Sequence, residues 1–187
     1  MSEYLPQMSR ASLLGKLREN PDAWDLIVIG GGATGLRIAL DAASRGYSTA
    51  LVEQADFGEA ASSRSTKFVH GGVRYLRGGE VGLVRESLRE RGLLLKNAPA
   101  LVKPMPLVVS AYRWYERLYY GLGLTLYDLL AGKQGIKRTG HLNREQALER
   151  IPNLSKEGLY GGTLDWDSQF DDARLTLAIA KEAVGHG

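Results

Sequence analysis

The sequence predicts an α/β fold that begins with a strand–helix–strand unit. Leu26–Ile29 is an uninterrupted apolar run, which is typical of a strand buried on both faces. Apolar residues then recur at positions 36, 39, 40 and 43, the spacing of one helical face, and Gly46 stands where a glycine commonly ends a helix. Residues 48–52 supply a second strand. A helix between two such strands indicates parallel pairing.

Hydrophobic periodicity and turn residues predict the elements that follow. The expected helices cover residues 9–19, 80–97 and 113–131, a short stretch between Asn143 and Pro152, and a final stretch opened by Asp171 and Asp172. The expected strands are residues 103–112 and one or two strands within residues 158–170. Because glycine is a poor helix former, we expect Gly121 and Gly123 to break the third helix.

Composition narrows the class of protein. Of the 187 residues, 44% are hydrophobic and 24% are charged, which is enough apolar material for a core. The net charge of +3 suits an anionic ligand or an acidic membrane surface, and no basic block interleaved with aromatics indicates nucleic-acid binding. Cysteine is absent, which excludes disulfides and thiolate chemistry. No stretch approaches the roughly 20 apolar residues of a membrane span. Residues 118–127 could form a core helix or a membrane-interface helix, and the sequence favours the core helix.

Residues 30–35 fit the spacing G-x-G-x-x-G between the first strand and the helix after it. In this pattern Gly30 makes the tight turn, Gly32 lets a pyrophosphate approach the backbone, and Gly35 allows close helix–strand packing. The helix N-terminus offers free amides to the phosphates. Glu53 follows Gly35 by 18 residues, where a carboxylate would bind ribose hydroxyls. These features predict a Rossmann-like site for an ADP-containing dinucleotide, NAD or FAD.

A polar stretch over residues 62–80, SSRSTKFVHGGVRYLRGGE, follows the second strand. Its first half carries hydroxyl groups that can donate hydrogen bonds, on Ser62, Ser63, Ser65 and Thr66. Lys67 adds a positive charge, and Gly71 and Gly72 let backbone amides come close to a ring or an anion. NAD-dependent dehydrogenases usually continue with an ordinary helix here, so this stretch favours contact with the pyrophosphate and flavin of FAD.

Four stretches of the chain carry a family resemblance: VIGGGATGLRIALDAASRG, SSRSTKFVHGGVRYL, GEVGLVRESLRERGLLLKNAP and DDARLTLAIA. Together they resemble FAD-dependent glycerol-3-phosphate dehydrogenases, which have the D-amino-acid-oxidase-like flavoprotein fold. The second and third stretches are specific to that family, whereas many flavoproteins share the first. The resemblance implies oxidation of sn-glycerol 3-phosphate to dihydroxyacetone phosphate. It also implies that electrons pass through FAD to a membrane quinone.

The resemblance implies roles for individual residues. The ADP half of FAD would contact Gly30, Gly32, Gly35 and Glu53, and the pyrophosphate and flavin would contact Ser62, Ser63, Ser65, Thr66, Lys67 and Gly71. Arg74 and Tyr75 would lie at the substrate end of the flavin, and a guanidinium suits a phosphate because it can bind it bidentately. His70 would either lie beside the flavin as a donor or hold its loop by a backbone hydrogen bond. No residue stands out as the base for the substrate hydroxyl, and no metal site is expected.

The expected fold class is therefore α/β, a Rossmann-like FAD-binding βαβ unit with the start of a mixed α+β substrate domain. A parallel sheet with two clear strands is unfinished, so we expect an incomplete sheet and a fragment. The expected domains are residues 1–23, a helical lead; 24–100, the first part of the FAD-binding domain; 101–165, a substrate or cap segment; and 166–187, a return helix of the FAD-binding domain.

The implied partners are glycerol 3-phosphate, a quinone and a membrane surface, and the implied location is cytoplasmic, peripheral on the inner face of the cytoplasmic membrane. Two alternatives remain open. One is a non-catalytic, truncated nucleotide-binding fragment. The other is a different FAD-dependent oxidase of the same fold, acting on an amine or a 2-hydroxy acid. A soluble NAD-linked dehydrogenase is the least favoured interpretation.

Overall fold

The structure, a computed structural model, describes residues 9–19 and 23–186. Its helices are α1 (Arg10–Glu19), α2 (Ala33–Ser44), α3 (Val73–Leu76), α4 (Val81–Asn97), α5 (Trp114–Ala131), α6 (Arg144–Arg150) and α7 (Asp172–His186). Its strands are β1 (Leu26–Ile29), β2 (Thr49–Val52), β3 (Phe68–Val69), β4 (Val102–Ala111), β5 (Gly140–Leu142) and β6 (Gly161–Phe170). Short 3₁₀ turns cover Ala61–Ser63 and Gly132–Gln134. No helix within the described ranges is long and apolar enough to cross a membrane.

The chain forms two compact units. The first comprises the described residues up to Lys67 and those from Asp171 onward, and the second comprises Phe68–Phe170. This division of the chain differs from the four domains expected from the sequence, which follow presumed roles rather than compactness. Those four domains stay a prediction.

The first unit contains the strand–helix–strand element, and this prediction is confirmed. β1 and β2 pair in parallel, with Leu26 opposite Thr49 and Ile29 opposite Val52. Helix α2 turns its small apolar residues inward, and α7 packs beside it. The expectation that β1 is buried on both faces is wrong, because only one face of the strand is covered. Val28 is buried, whereas Ile29 is 86% exposed.

The second unit is an antiparallel sheet built around β6. β4 pairs with β6 along its whole length, from Val102 opposite Phe170 to Ala111 opposite Gly161. The short strands β3 and β5 pair with opposite ends of β6. Residues 158–170 therefore contain a single long strand. Pro104 and Pro106 are tolerated because β4 is an edge strand in the described sheet, as the prolines predicted.

Helices α4 and α5 form the core of the second unit, through Val84, Leu88, Tyr127 and Ala131. Helix α5 runs without a break, so the prediction that its glycines interrupt it is wrong. Gly121 is buried, and a Cβ there would lie 2.5 Å from Cε1 of His141. A side chain at residue 121 would displace the His141 ring, and one glycine costs a helix only about 1 kcal/mol relative to alanine.

Candidate functional site

The glycine-rich turn joins β1 to α2 in the first unit. Gly30 has a φ of 109°, in the region that favours glycine. A Cβ at Gly35 would lie 2.0 Å from the carbonyl oxygen of Gly30, so only glycine lets the helix start this close to the strand. At Gly32, which is the N-cap of α2, a Cβ would lie 3.1 Å from Oγ of Ser62. The turn thus has the close backbone approach that a dinucleotide pyrophosphate requires.

Glu53 lies directly after β2, beside this turn. Its carboxylate accepts hydrogen bonds from the amide of Ala55 at 2.9 Å and from the amide of Gly31 at 2.7 Å. These two bonds hold the pKa of the carboxyl below its usual range, with the Ala55 bond contributing most. A carboxylate has about four acceptor positions. Glu53 therefore fastens the turn and keeps acceptor capacity for hydroxyl groups such as those of a ribose.

Ser62 lies at the N-terminus of α2. Its hydroxyl oxygen accepts a hydrogen bond from the amide of Ala33 at 3.0 Å, which satisfies one of the amides that a helix start leaves free. A cavity of about 270 Å³ lies next to it and is lined by Gly32, Glu53, Ser62 and Arg64, with Asp56 and Glu59 among the other lining residues. Three predicted cofactor residues, Gly32, Glu53 and Ser62, thus share one cavity. Those residues fit the ADP half of a dinucleotide.

The rest of the serine-rich stretch is tied to the start of α7 through Asp172. The carboxylate accepts hydrogen bonds from the Ser65 hydroxyl at 2.6 Å and from the ammonium of Lys67. The same ammonium donates to the carbonyl of Ser63 at 2.9 Å, and the Ser63 hydroxyl donates to the carbonyl of Gly58. Of the predicted residues in this stretch, Ser63, Ser65 and Lys67 form one network, whereas Thr66 is exposed.

Asp172 keeps its charge in this network. Burial raises the pKa of its carboxyl, but the hydrogen bonds from Lys67, Ser65 and the Ala173 amide outweigh it and lower the pKa to about 2. Lys67 has a φ of 62°, the one non-glycine residue in the described chain with a positive φ. A left-handed conformation is costly for lysine, so the bonds to Asp172 and Ser63 hold the backbone in it. Asp171 instead caps α7, because its carboxylate accepts from the Arg174 amide at 3.0 Å.

The second unit contains the His-Gly-Gly-x-Arg-Tyr part of the polar stretch. Gly72 has a φ of 74° and begins the short helix α3, which carries Arg74 and Tyr75. A Cβ at Gly72 would lie 2.6 Å from the Tyr75 ring, so the ring packs against the turn. Arg74 lines an open cavity of about 880 Å³ formed with α5. His70 is exposed, and neither it nor Tyr75 belongs to the cavity lining.

The Arg74 cavity combines cations with aromatic hydroxyls. Arg77, one helical turn after Arg74, lines the same space, together with Tyr115, Tyr119 and Tyr120 of α5. Two guanidinium groups beside phenol groups suit an anion with hydroxyl substituents, because arginine donates in a planar fork. The two arginines can bind an anionic group, in a cavity whose lining also includes Glu116 and several leucines.

A buried polar network, which the sequence interpretation missed, lies beneath the Gly71–Gly72 turn. Arg91 is 1% exposed and donates from Nη1 to Asp167 at 3.0 Å and to the hydroxyl of Tyr127 at 3.3 Å. Burial raises the pKa of the Asp167 carboxyl, against the effect of Arg91. Burial also raises the pKa of Asp165 to about 6, and its Oδ1 has no partner in the described residues.

The missed residues left two signals in the sequence. Asp165 and Asp167 alternate with Trp166 in a strand, and polar residues at a period of two inside a buried strand indicate a polar network. Arg91 lies seven residues after Val84 and three after Leu88, on the apolar face of α4. No His, Asp and Glu cluster that could hold a metal occurs within the described residues.

Comparisons with known proteins bear on this site. The FAD dependent oxidoreductase family (DAO) matches residues 25–187. The mitochondrial glycerol-3-phosphate dehydrogenase of Mus musculus is 46% identical over 186 residues, which cover 96% of this chain and 25% of the mouse protein. The glycerol-3-phosphate dehydrogenase of Mycobacterium leprae is 46% identical over 172 residues, 91% of this chain and 29% of that protein. The chain thus spans about a quarter of the length of the curated relatives it matches.

Solved structures agree with these relatives. The glycerol-3-phosphate dehydrogenase from Bacillus halodurans, complexed with FAD, matches with a TM-score of 0.68 and 38% identity, over 95% of this chain and 27% of that one. The L-proline dehydrogenase from P. horikoshii matches with a TM-score of 0.67 over 89% of this chain and 43% of that one. Its 21% identity shows a common fold alone. The fold class and the family resemblance predicted from the sequence are confirmed, and this chain belongs to the FAD dependent oxidoreductase family.

Proposed function

We propose that this chain supplies the dinucleotide-binding turn and part of the substrate-binding surface of an FAD-dependent glycerol-3-phosphate dehydrogenase. The observation that carries the proposal is the 46% identity to the mouse enzyme over 96% of this chain. The proposed reaction oxidises the secondary alcohol of sn-glycerol 3-phosphate to the ketone of dihydroxyacetone phosphate. Two electrons leave the substrate and pass through FAD to a quinone, which takes up two protons.

The first unit would hold the ADP half of FAD. The helix N-terminus at Gly32 and Ala33 would face the pyrophosphate, and the Glu53 carboxylate would accept from the ribose hydroxyls. The Ser62 hydroxyl accepts a hydrogen bond from the Ala33 amide at this helix N-terminus. It would therefore lie next to the phosphates. Lys67 would add a positive charge beside them. When bound, FAD would supply the redox chemistry by accepting a hydride from the substrate carbon.

The second unit would hold the anionic substrate. Arg74 and Arg77 would bind the phosphate of glycerol 3-phosphate in the cavity they line, because a guanidinium donates two parallel hydrogen bonds to a phosphate. We assign His70 and Tyr75 to the flavin end of this surface, His70 as a hydrogen-bond donor and Tyr75 as support for the turn. Gly71 would bring its backbone close to the flavin. An oxidase that acts on an amine without an anionic group would not need the two arginines, whereas the carboxylate of a 2-hydroxy acid would bind them as well.

The test is Arg74→Ala in the full-length, FAD-loaded form, with Arg89→Ala as the control. Arg89 is an exposed arginine of α4 that lines none of the cavities described here. Arg74→Ala should lower kcat/KM for glycerol 3-phosphate by about a hundredfold or more, because a charged hydrogen bond to phosphate is lost. The visible flavin absorbance should be retained in both variants. If Arg74→Ala leaves the kinetics unchanged, Arg74 does not bind the substrate phosphate.

We further propose that α5 binds the surface of the membrane that contains the quinone. The outward face of α5 exposes Trp114 (64%), Leu118 (58%) and Leu129 (74%), while its inward face is buried. Arg113 and Arg117 lie at the start of the same helix. Tryptophan and apolar residues flanked by cations are typical of helices that lie in a membrane interface. The sequence favoured a core helix for this region, whereas the exposure of these residues supports the interface.

Vesicle sedimentation tests this membrane contact. Vesicles of phosphatidylcholine with phosphatidylglycerol should sediment the protein, and Leu129→Ser should weaken sedimentation several-fold, because apolar burial drives interfacial binding. Leu177→Ser on α7 is the matched control, since Leu177 is also an exposed helical leucine. Equal binding by the two variants would argue against α5. The proposed location is the inner face of the cytoplasmic membrane.

A further inference from the structure

We propose that Tyr127 is a positioning residue for Arg74. In this inference the Tyr127 hydroxyl, held by the buried pair Arg91–Asp167, supports the Gly71–Gly72 turn from which helix α3 starts. The inference rests on the proposed function, in which Arg74 binds the phosphate of the substrate. The inference adds the contacts that fix the position of the Arg74 guanidinium.

Within the turn, the Tyr75 amide donates to the carbonyl of Gly72 at 2.9 Å, which ties Gly72 to helix α3. Gly71 and Gly72 are both buried, and Gly72 adopts a left-handed conformation with φ of 74°. Glycine has the largest conformational freedom in the unfolded chain, so two in succession need external contacts to remain ordered. Helix α3 is four residues long and begins directly after the turn. Any movement of the turn is therefore passed on to Arg74.

Tyr127 supplies that contact. Its side chain is 1% exposed, and a Cβ at Gly71 would lie 2.0 Å from its hydroxyl oxygen. The hydroxyl therefore lies against the backbone of Gly71, in space that a side chain at residue 71 would fill. Removal of the hydroxyl would leave a void beneath the turn, and the atoms that line a void lose their packing contacts on that side.

Arg91 holds the hydroxyl in place. Nη1 donates to Tyr127 and to Asp167, at 3.3 Å and 3.0 Å. It also lies 3.4 Å from the carbonyl of Trp166 on β6, and Nη2 lies 3.5 Å from the carbonyl of Gln134. The guanidinium is therefore bonded to β6, to α5 and to the 3₁₀ turn after α5. Because these contacts hold the Arg91 guanidinium in place, its hydrogen bond also fixes the position of the Tyr127 hydroxyl oxygen.

The test compares Tyr127→Phe with Tyr160→Phe in the full-length form. Phenylalanine keeps the ring that packs against Val84, Leu88 and Ala131, so the change removes only the hydroxyl. Tyr160 is 56% exposed in the same unit and serves as the control. Hydrogen–deuterium exchange is followed by mass spectrometry on the FAD-free and the FAD-loaded protein. In Tyr127→Phe, exchange in peptides covering residues 68–77 should be about tenfold faster than in the unaltered protein. Exchange over β4 should stay unchanged.

Kinetics give the second measurement. Tyr127→Phe should raise KM for glycerol 3-phosphate about three- to tenfold with kcat within about twofold, because a displaced Arg74 weakens binding of the phosphate throughout the reaction. In an Arg74→Ala background the same change should add nothing to KM. Tyr160→Phe should alter neither quantity.

The outcomes separate the two proposals. If Arg74→Ala leaves KM unchanged, the proposed phosphate site fails, whatever Tyr127 does. If Arg74→Ala raises KM while Tyr127→Phe changes neither KM nor local exchange, the positioning role fails and the phosphate site stands. A general rise in exchange across the second unit, β4 included, would also overturn the inference, because it would show a loss of packing rather than of position.

Discussion

The two compact units each contain an ion pair built on a buried aspartate, but only one of the two cations is accessible. Lys67, paired with Asp172 in the first unit, is 43% exposed in its side chain. Arg91, paired with Asp167 in the second, is 2% exposed. An accessible lysine can turn towards an incoming phosphate while its aspartate stays bonded to Ser65. A guanidinium enclosed on all sides can only hold its neighbours, so in the proposed function the Lys67 pair would serve binding and the Arg91 pair would serve support.

The two units also differ in what burial does to their acids. Hydrogen bonds to Asp172 lower its pKa to about 2, so it is charged throughout the physiological range. Burial raises the pKa of Asp165 to about 6, close to the range in which proteins work. A polar cluster therefore stabilises the charge in one unit and opposes it in the other.

Removal of the enclosed cation should have the largest effect. Arg91→Ala leaves Asp167 buried without its partner, and breaking a buried pair from one side costs about 3–5 kcal/mol. Arg45→Ala is the matched control, since the pair Arg45–Asp41 has side chains that are 66% and 59% exposed. That surface pair should contribute less than about 1 kcal/mol. Urea unfolding measures both free energies of unfolding, and equal losses would contradict the contrast.

The pH dependence of stability should have opposite signs in the two units. The folded pKa of Asp172 is lowered, so its contribution is present above about pH 4 and is lost as pH falls towards 2. The folded pKa of Asp165 is raised, so stability is highest below about pH 4 and falls as pH rises towards 6. Each slope is limited to about 1.4 kcal/mol per pH unit, the value for one proton.

The two asparagine variants measure these slopes. Asp172→Asn should flatten the acid limb of the unfolding free energy, and Asp165→Asn should flatten the fall between about pH 4 and 6. Urea unfolding at a series of pH values records both. A pH profile that Asp165→Asn leaves unaltered would mean that this carboxyl titrates normally.

The backbone at Lys67 should give the smallest effect. Lys67→Ala and Lys67→Gly remove the same ion pair, but glycine also relieves the left-handed conformation at φ of 62°. The glycine variant should therefore be more stable than the alanine variant by about 1 kcal/mol. Their difference in thermal midpoint isolates the backbone from the side chain. Equal midpoints would show that the loop moves to a relaxed conformation once its lysine is lost.

Local pattern was enough to predict most of the first unit. The apolar run of β1, the helical spacing in α2 and the three glycines between them each report on neighbours close in sequence. The Asn143 cap also follows a local rule, and its side chain accepts from the Gln146 amide at 2.8 Å. Where the determining contact is local, the sequence contains it directly.

Contacts between distant segments could not be predicted in the same way. Asp172 looked like a helix cap, because nothing near it in sequence indicates Ser65 or Lys67, more than a hundred residues earlier. Gly121 looked like a helix breaker, because the packing of His141 against it is a tertiary contact. Arg91 on an apolar helix face has meaning only beside Asp167. In each case the neighbour that decides the role comes from another element.

The central position of β6 has a consequence for how the second unit is made. β6 is the last of its strands to leave the ribosome, yet β3, β4 and β5 all pair with it. Phe68 cannot pair until Gln169, its partner on β6, has been synthesised. Until then, β4 has an unpaired edge, and such edges recruit other chains. The synthesis of ten residues, Gly161–Phe170, therefore decides when this unit can fold and how long it depends on protection from aggregation.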